Sequence, residues 1–135
     1  MHRYLPGCGS GSGLSDGGIL VVDDMAAQRE LAVVMIGKLG YTADSVPSGE
    51  AAVACVQKLT VDGLLLDMIM DPGIDGQETY RRIIHIHPDQ KAVIASGYAE
   101  TERMKEARHL GAGVTVGKPY TLEIIGKAVH QVLHG

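Results

Sequence analysis

Five polar residues carry the chemistry available to this chain: Asp23, Asp24, Asp67, Ser96 and Lys118. Three carboxylates gathered in one place repel each other, so a cation must hold them. Oxygen donors without His or Cys suit a hard ion, and Mg²⁺ keeps several waters while taking one or two carboxylates and a phosphate oxygen. Lys118 supplies a mobile point charge of the kind that binds phosphate. Ser96 offers a hydroxyl donor to a phosphoryl oxygen. A carboxylate set among metal, ammonium and hydroxyl is equipped to act as a nucleophile and form an aspartyl phosphate. Asp67 is the candidate for that role. Each residue alone has a plainer reading, since an Asp after a strand is usually a turn former. Five such residues together are equipped for chemistry that none of them performs alone.

The elements that position them alternate regularly. Ile19-Leu20-Val21-Val22 reads as a buried parallel strand and stops at Asp23-Asp24. Leu31, Val34, Met35 and Leu39 recur at helical spacing, and Gly40 stands where a helix ends. Residues 41–46 form a second strand, and Ser48-Gly49-Glu50-Ala51 opens a second helix. Gly63-Leu64-Leu65-Leu66 is a third strand ending on Asp67, and a Pro/Gly/Asp-rich loop (residues 71–76) leads to a helix through Tyr80, Ile83 and Ile84. Ala92-Val93-Ile94-Ala95 ends at Ser96, a charged helix covers 100–110, and Val114-Thr115-Val116 ends at Gly117-Lys118-Pro119. A last helix shows Leu122, Ile125, Val129 and Val132 on one face.

Five strands alternating with five helices predict a doubly wound α/β fold with a parallel sheet covered on both faces. The flavodoxin-like (βα)5 order 2-1-3-4-5 puts a ligand crevice at the carboxyl ends of strands 1 and 3. The polar residues select that order, because all five stand at strand carboxyl ends.

Composition narrows the function. The 135 residues carry 16 acidic and 12 basic side chains, a net charge of −4, with no Phe or Trp and five Tyr. There is no basic surplus to displace counterions and few rings for bases to stack on, which argues against nucleic-acid binding. No apolar run approaches the roughly 18 residues of a membrane helix, so no membrane contact is expected. Cys8 and Cys55 are too few for a disulfide framework, and a cytoplasmic setting follows. Cys55 reads as a small core residue and Cys8 as a linker thiol. Residues 1–17, rich in Gly and Ser, read as a flexible linker or as added residues, and 18–135 as one domain.

Val21-Val22-Asp23-Asp24, Leu66-Asp67-Met68-Ile69-Met70, Ala95-Ser96-Gly97-Tyr98 and Gly117-Lys118-Pro119-Tyr120 resemble the response-regulator receiver domain of two-component signalling. The resemblance spans roughly residues 18–133. It implies that Asp23, Asp24, Asp67 and the main-chain carbonyl of Ile69 hold Mg²⁺, and that Asp67 accepts a phosphoryl group from a phosphohistidine. It implies that Ser96 moves toward the phosphate, that Lys118 pairs with it, and that the Lys118–Pro119 peptide is cis. The implied partners are a sensor histidine kinase or a phosphotransfer protein. A homodimer through the fourth helix, fifth strand and fifth helix is the further expectation. Such a domain is not a turnover enzyme by itself but catalyses its own aspartyl phosphorylation and dephosphorylation. The wording around residues 71–83 and 118–123 is similar to receivers attached to hybrid histidine kinases, against which stands a free single-domain regulator. With no output domain legible after the last helix, output is expected through protein contacts.

Two departures from the family pattern stand out. Asp71 is inserted between Met70 and Pro72, and is expected to lengthen the loop without ligating metal. Thr115 stands three residues before Lys118, where the family usually has an aromatic switch residue. A haloacid-dehalogenase phosphatase would need a second Asp two residues after the nucleophile as general acid, and Ile69 stands there. A receiver-like scaffold that is never phosphorylated is the remaining rival. Among the histidines, His85 and His87 point to different sides of a helix. His130 and His134 share a face but lack the His-Glu-x-x-His pattern, and a helix carboxyl terminus accounts for them.

Overall fold

The computed structural model describes residues 18–70, 73–97 and 102–134, with the main chain alone at 103 and 104. The expected linker with Cys8, the inserted Asp71, Tyr98 and the start of the charged helix at 100 lie outside the described residues.

The chain order is β1 (Ile19–Val22), α1 (Ala26–Lys38), β2 (Ala43–Val46), α2 (Gly49–Val56), β3 (Gly63–Asp67), α3 (Gly76–Ile86), β4 (Ala92–Ser96), α4 (Glu102–His109), β5 (Val114–Gly117) and α5 (Leu122–His134). All strands are parallel, in the order β2-β1-β3-β4-β5. The expected flavodoxin-like topology is therefore the observed one. β2 begins two residues later than the apolar pattern indicated.

The side-chain period of two in a strand divides the core into two layers. Leu20, Val22, Leu64, Leu66 and Ile94 face one layer, closed by Ala52, Cys55 and Val56 of α2 and Tyr80 and Ile83 of α3. Ile19, Val21, Leu65, Val93 and Ala95 face the other, closed by Ala32 and Ile36 of α1 and Ile125, Ala128 and Val129 of α5. Burying both faces explains why the strands read as unbroken apolar runs rather than alternating ones. Cys55 is a fully buried core residue, as expected.

Capping sets where α2 and α3 start. The Ser48 side chain accepts from the Ala51 amide at 3.0 Å, and Asp75 accepts from the Glu78 amide at 2.9 Å. Each satisfies an amide that the first helical turn leaves without a partner. α1 differs from the expected orientation. Leu31 and Val34, half exposed at 52% and 53%, point outward, and Ala32 and Ile36 take the sheet side. No helix among the described residues is long and apolar enough to cross a membrane.

Candidate functional site

β1 and β3 are hydrogen-bonded neighbours with Val22 paired to Leu66, so Asp23 and Asp67 emerge side by side. β4 brings Ser96 next in line, and β5 ends one residue before Lys118. The reversal of strand order between β1 and β3 opens a crevice at their carboxyl ends. Asp23, Asp67 and Ser96 are all buried there, while Asp24 is exposed. The carboxylates of Asp23, Asp24 and Asp67 offer oxygens that lie within 4.8 Å of one another. It is the one such three-ligand group among the described residues, and it is made of hard oxygen donors that fit Mg²⁺.

Lys118 holds the cluster together. Its Nζ lies 3.1 Å from Asp23 Oδ2 and 3.3 Å from Asp67 Oδ1. The strand end delivers it there, since the Lys118 amide donates to the Ser96 carbonyl at 2.8 Å. The Lys118–Pro119 peptide is cis, as the resemblance implied. Burial alone would lower the Lys118 pKa. The Asp67 charge, then the hydrogen bond and charge of Asp23, outweigh burial and hold it above its ordinary value. Asp67 is pushed up to about 6, chiefly by burial and further by Asp23 and Asp24, with Lys118 pulling the other way. A carboxylate raised in this way is the group that gains most when a divalent cation arrives.

The loop after β3 is pinned from several sides. Met68 and Met70 are buried in the core, whereas Ile69 between them is 50% exposed. The Gly76 amide donates to the Met68 carbonyl at 2.8 Å. A Cβ at Gly76 would lie 2.6 Å from the Asp67 carbonyl oxygen, closer than any side chain tolerates, so α3 can start here only from glycine.

Three contributors escaped the sequence reading. Arg29 of α1 sends Nη1 to the main-chain carbonyl of Asp23 at 3.0 Å. Glu50 of α2 accepts from the Ile74 amide at 3.1 Å. Tyr120, half-buried, has its phenol pushed up to about 12 by burial and then by the charges of Asp23 and Asp67, which places its hydroxyl in the field of the cluster. No spacing rule links Arg29 or Glu50 to the loops they touch. Thr115 is half-buried on β5, opposite Ile94. His130 and His134 stack at 4.6 Å between ring centres on the exposed end of α5, away from the acidic cluster.

The family description "response regulator receiver domain" matches residues 19–130. The chain is 34% identical over 115 residues to sporulation initiation phosphotransferase F of Bacillus subtilis (strain 168), covering 85% of this chain and 92% of that protein. It is 33% identical over 120 residues to sensor kinase CckA of Brucella abortus (strain 2308), where the match covers 85% of this chain but 12% of the kinase. Among solved structures, the N-terminal domain of a response regulator/sensory box/GGDEF 3-domain protein from Carboxydothermus hydrogenoformans superposes with a TM-score of 0.78 at 28% identity. That overlap covers 85% of this chain and 92% of the other.

Proposed function

Since the chain belongs to the response regulator receiver domain family, we propose that it is a phosphoacceptor whose reacting group is Asp67. An Asp67 carboxylate oxygen attacks the phosphorus of a phosphohistidine on a histidine kinase or phosphotransfer protein. The new O–P bond replaces the P–N bond, and the imidazole leaves with the electron pair and takes up a proton. The observation that carries this reading is Lys118 Nζ set between the buried carboxylates of Asp23 and Asp67, 3.1 and 3.3 Å away. There it can follow a phosphoryl oxygen without leaving its carboxylate partners. Ser96, buried beside them, supplies a hydroxyl on the β4 side. Asp23, Asp24 and Asp67, with the Ile69 carbonyl, would hold Mg²⁺, which offsets charge on the phosphoryl oxygens. Phosphorylation replaces the single charge of the Asp67 carboxylate by the about −1.5 to −2 of a phosphoryl group, and this local gain of negative charge, with the added oxygens, is the signal.

The rim supports docking by an apolar partner. Met25, next to Asp24, is 58% exposed, and Ile69, two residues after Asp67, is 50% exposed. Leu122 and Ile124 at the start of α5 and Leu31 and Val34 on α1 continue exposed apolar surface on the same two packed helices. A helical bundle presenting a phosphohistidine fits such a surface. The face of α4, β5 and α5 is assigned to a second copy of the chain, because the edge strand β5 is only half covered. The relation to sensor kinase CckA, of which the matched segment is 12%, supports a receiver module of a hybrid kinase. Residues 1–17 are then its linker, and the setting is cytoplasmic.

The test is incubation with Mg²⁺ and acetyl phosphate, followed by intact mass. An acid-labile adduct of roughly 80 Da, the mass of one phosphoryl group, is expected on the parent and not on Asp67→Asn. No adduct on the parent would leave the unphosphorylated scaffold as the better reading.

A further inference from the structure

The β1–α1 loop, which presents Asp23 and Asp24, and the β3–α3 loop, which follows Asp67, are each tied down by one long charged side chain from a helix. The β1–α1 loop carries Asp24 and turns immediately after Asp23. Asp23 Oδ1 accepts from the Met25 amide at 2.9 Å, which closes the turn from inside. Arg29, partly buried one turn into α1, closes it from outside by donating Nη1 to the Asp23 carbonyl at 3.0 Å. Charge-assisted hydrogen bonds of this kind are stronger than neutral ones. The carbonyl would otherwise end its strand at the mouth of a crevice crowded with negative charge.

The β3–α3 loop has the matching device. Met68 and Met70, on either side of Ile69 in the chain, anchor it in the core. Beyond them, the Glu50 carboxylate accepts the Ile74 amide at 3.1 Å and lies against Gly73. Gly73 has φ +111°, and a Cβ there would sit 2.8 Å from a Glu50 carboxylate oxygen. Glycine therefore permits both the backbone turn and the close approach of the acid. Glu50 lies in the first turn of α2, where a carboxylate also complements the helix dipole. That ordinary role hides the second one.

We infer that Arg29 and Glu50 are positioning residues, one for each of these two loops, and that together they set the separation of the carboxylates from the Ile69 backbone. The inference rests on the phosphoacceptor reading only for why that separation matters. Neither residue touches the reacting atoms, so neither is catalytic.

The experiment uses the full chain and four variants, Arg29→Ala, Arg29→Lys, Glu50→Ala and Glu50→Gln, with three measurements. Mg²⁺ affinity is read from amide shifts in a Mg²⁺ titration. Exchange of the Ile74 and Met25 amides is followed without metal, and thermal midpoints are recorded beside them. Arg29→Ala is expected to weaken Mg²⁺ binding about tenfold, and Arg29→Lys to recover part of that loss, since an ammonium can still donate to the carbonyl. Glu50→Ala should weaken it about threefold and speed Ile74 exchange. Glu50→Gln, which keeps an acceptor without the charge, should restore both to near the parent values. Unchanged Mg²⁺ affinity in both alanine variants would overturn the inference. So would losses that simply follow the thermal midpoints, or a Glu50→Gln variant as weak as Glu50→Ala. If the parent binds Mg²⁺ yet takes no phosphoryl group, the phosphoacceptor reading fails while these measurements still decide the positioning roles.

Discussion

At the amino-terminal end of the sheet the buried polar groups are neutral and satisfied. The Tyr80 hydroxyl donates to the Gln90 carbonyl at 2.6 Å, and the Gln90 side-chain amide donates to the carbonyls of Val61 and Lys91 at 3.3 and 3.2 Å. Burial pushes the Tyr80 phenol up to about 12, so it stays a neutral donor. At the carboxyl-terminal end two buried carboxylates share one ammonium, beside the neutral hydroxyl of Ser96. A buried group that is neutral and paired contributes to stability, whereas like charges held together cost stability and wait for a cation. One end of the sheet holds the fold, and the other stores a charge imbalance that chemistry can use.

The largest expected effect comes from removing the ammonium. Lys118→Ala leaves Asp23 and Asp67 buried without their shared partner, and breaking a buried pair in this way costs about 3 kcal/mol. The loss should be smaller at pH 5 than at pH 7, because Asp67, already pushed up to about 6, takes a proton in place of the lysine. Urea unfolding of metal-free protein at the two pH values reads this directly. An equal loss at both would mean that Lys118 contributes packing and not charge.

Asp67 supplies the next effect, with the opposite sign. Its pKa is raised from 3.8 unfolded to about 6 folded, so the folded state binds more protons across that window. Stability is favoured below pH 4 and lost as pH rises to 6, by about 2–3 kcal/mol from this group. Without metal, Asp67→Asn should therefore be the more stable protein at pH 7, with the difference vanishing near pH 4. Mg²⁺ should narrow the gap at pH 7, because only the parent retains the carboxylate that binds it. A parent more stable than Asp67→Asn at pH 7 without metal would contradict the stored imbalance.

The neutral end gives a smaller and purely structural response. Tyr80→Phe strips the Gln90 carbonyl of its donor inside the core, a loss of about 1–2 kcal/mol. Phosphorylation by acetyl phosphate and Mg²⁺ affinity should stay at parent values. If either drops, the two ends of the sheet are coupled and the division drawn between them is wrong.

Much of this division is legible in the sequence for a physical reason. Parallel strands covered on both faces must be apolar throughout, so Asp23, Asp67 and Ser96 show up as the points where the runs stop, and Lys118 as the first charge after one. Every parallel order brings those stops to one edge of the sheet, and 2-1-3-4-5, the observed order, is a common one that sets the strands of Asp23 and Asp67 side by side. The orientation of α1 was not legible. Leu31, Val33, Val34, Met35 and Ile36 put apolar side chains all the way round this helix, so periodicity cannot say which residues face the sheet. Arg29 and Glu50 were not legible either. Their partners are main-chain groups six and 24 residues away, and a main-chain partner leaves no mark on composition or spacing.

The exposed side of α1 supplies the last and smallest test on stability. Leu31 and Val34 are half exposed, so Leu31→Gln and Val34→Thr remove little buried apolar area, and stability should stay within about 0.5 kcal/mol of the parent. Phosphorylation by acetyl phosphate should also be unchanged, because neither residue belongs to the acidic cluster. Phosphotransfer from a phosphorylated histidine phosphotransfer protein should instead slow several-fold, since that donor has to seat its helices on the surface the two residues supply. Equal rates from the protein donor would show that the apolar rim is not where the partner docks. A stability loss above 1 kcal/mol would mean that α1 turns these side chains inward, which would undo the assignment of its outer face.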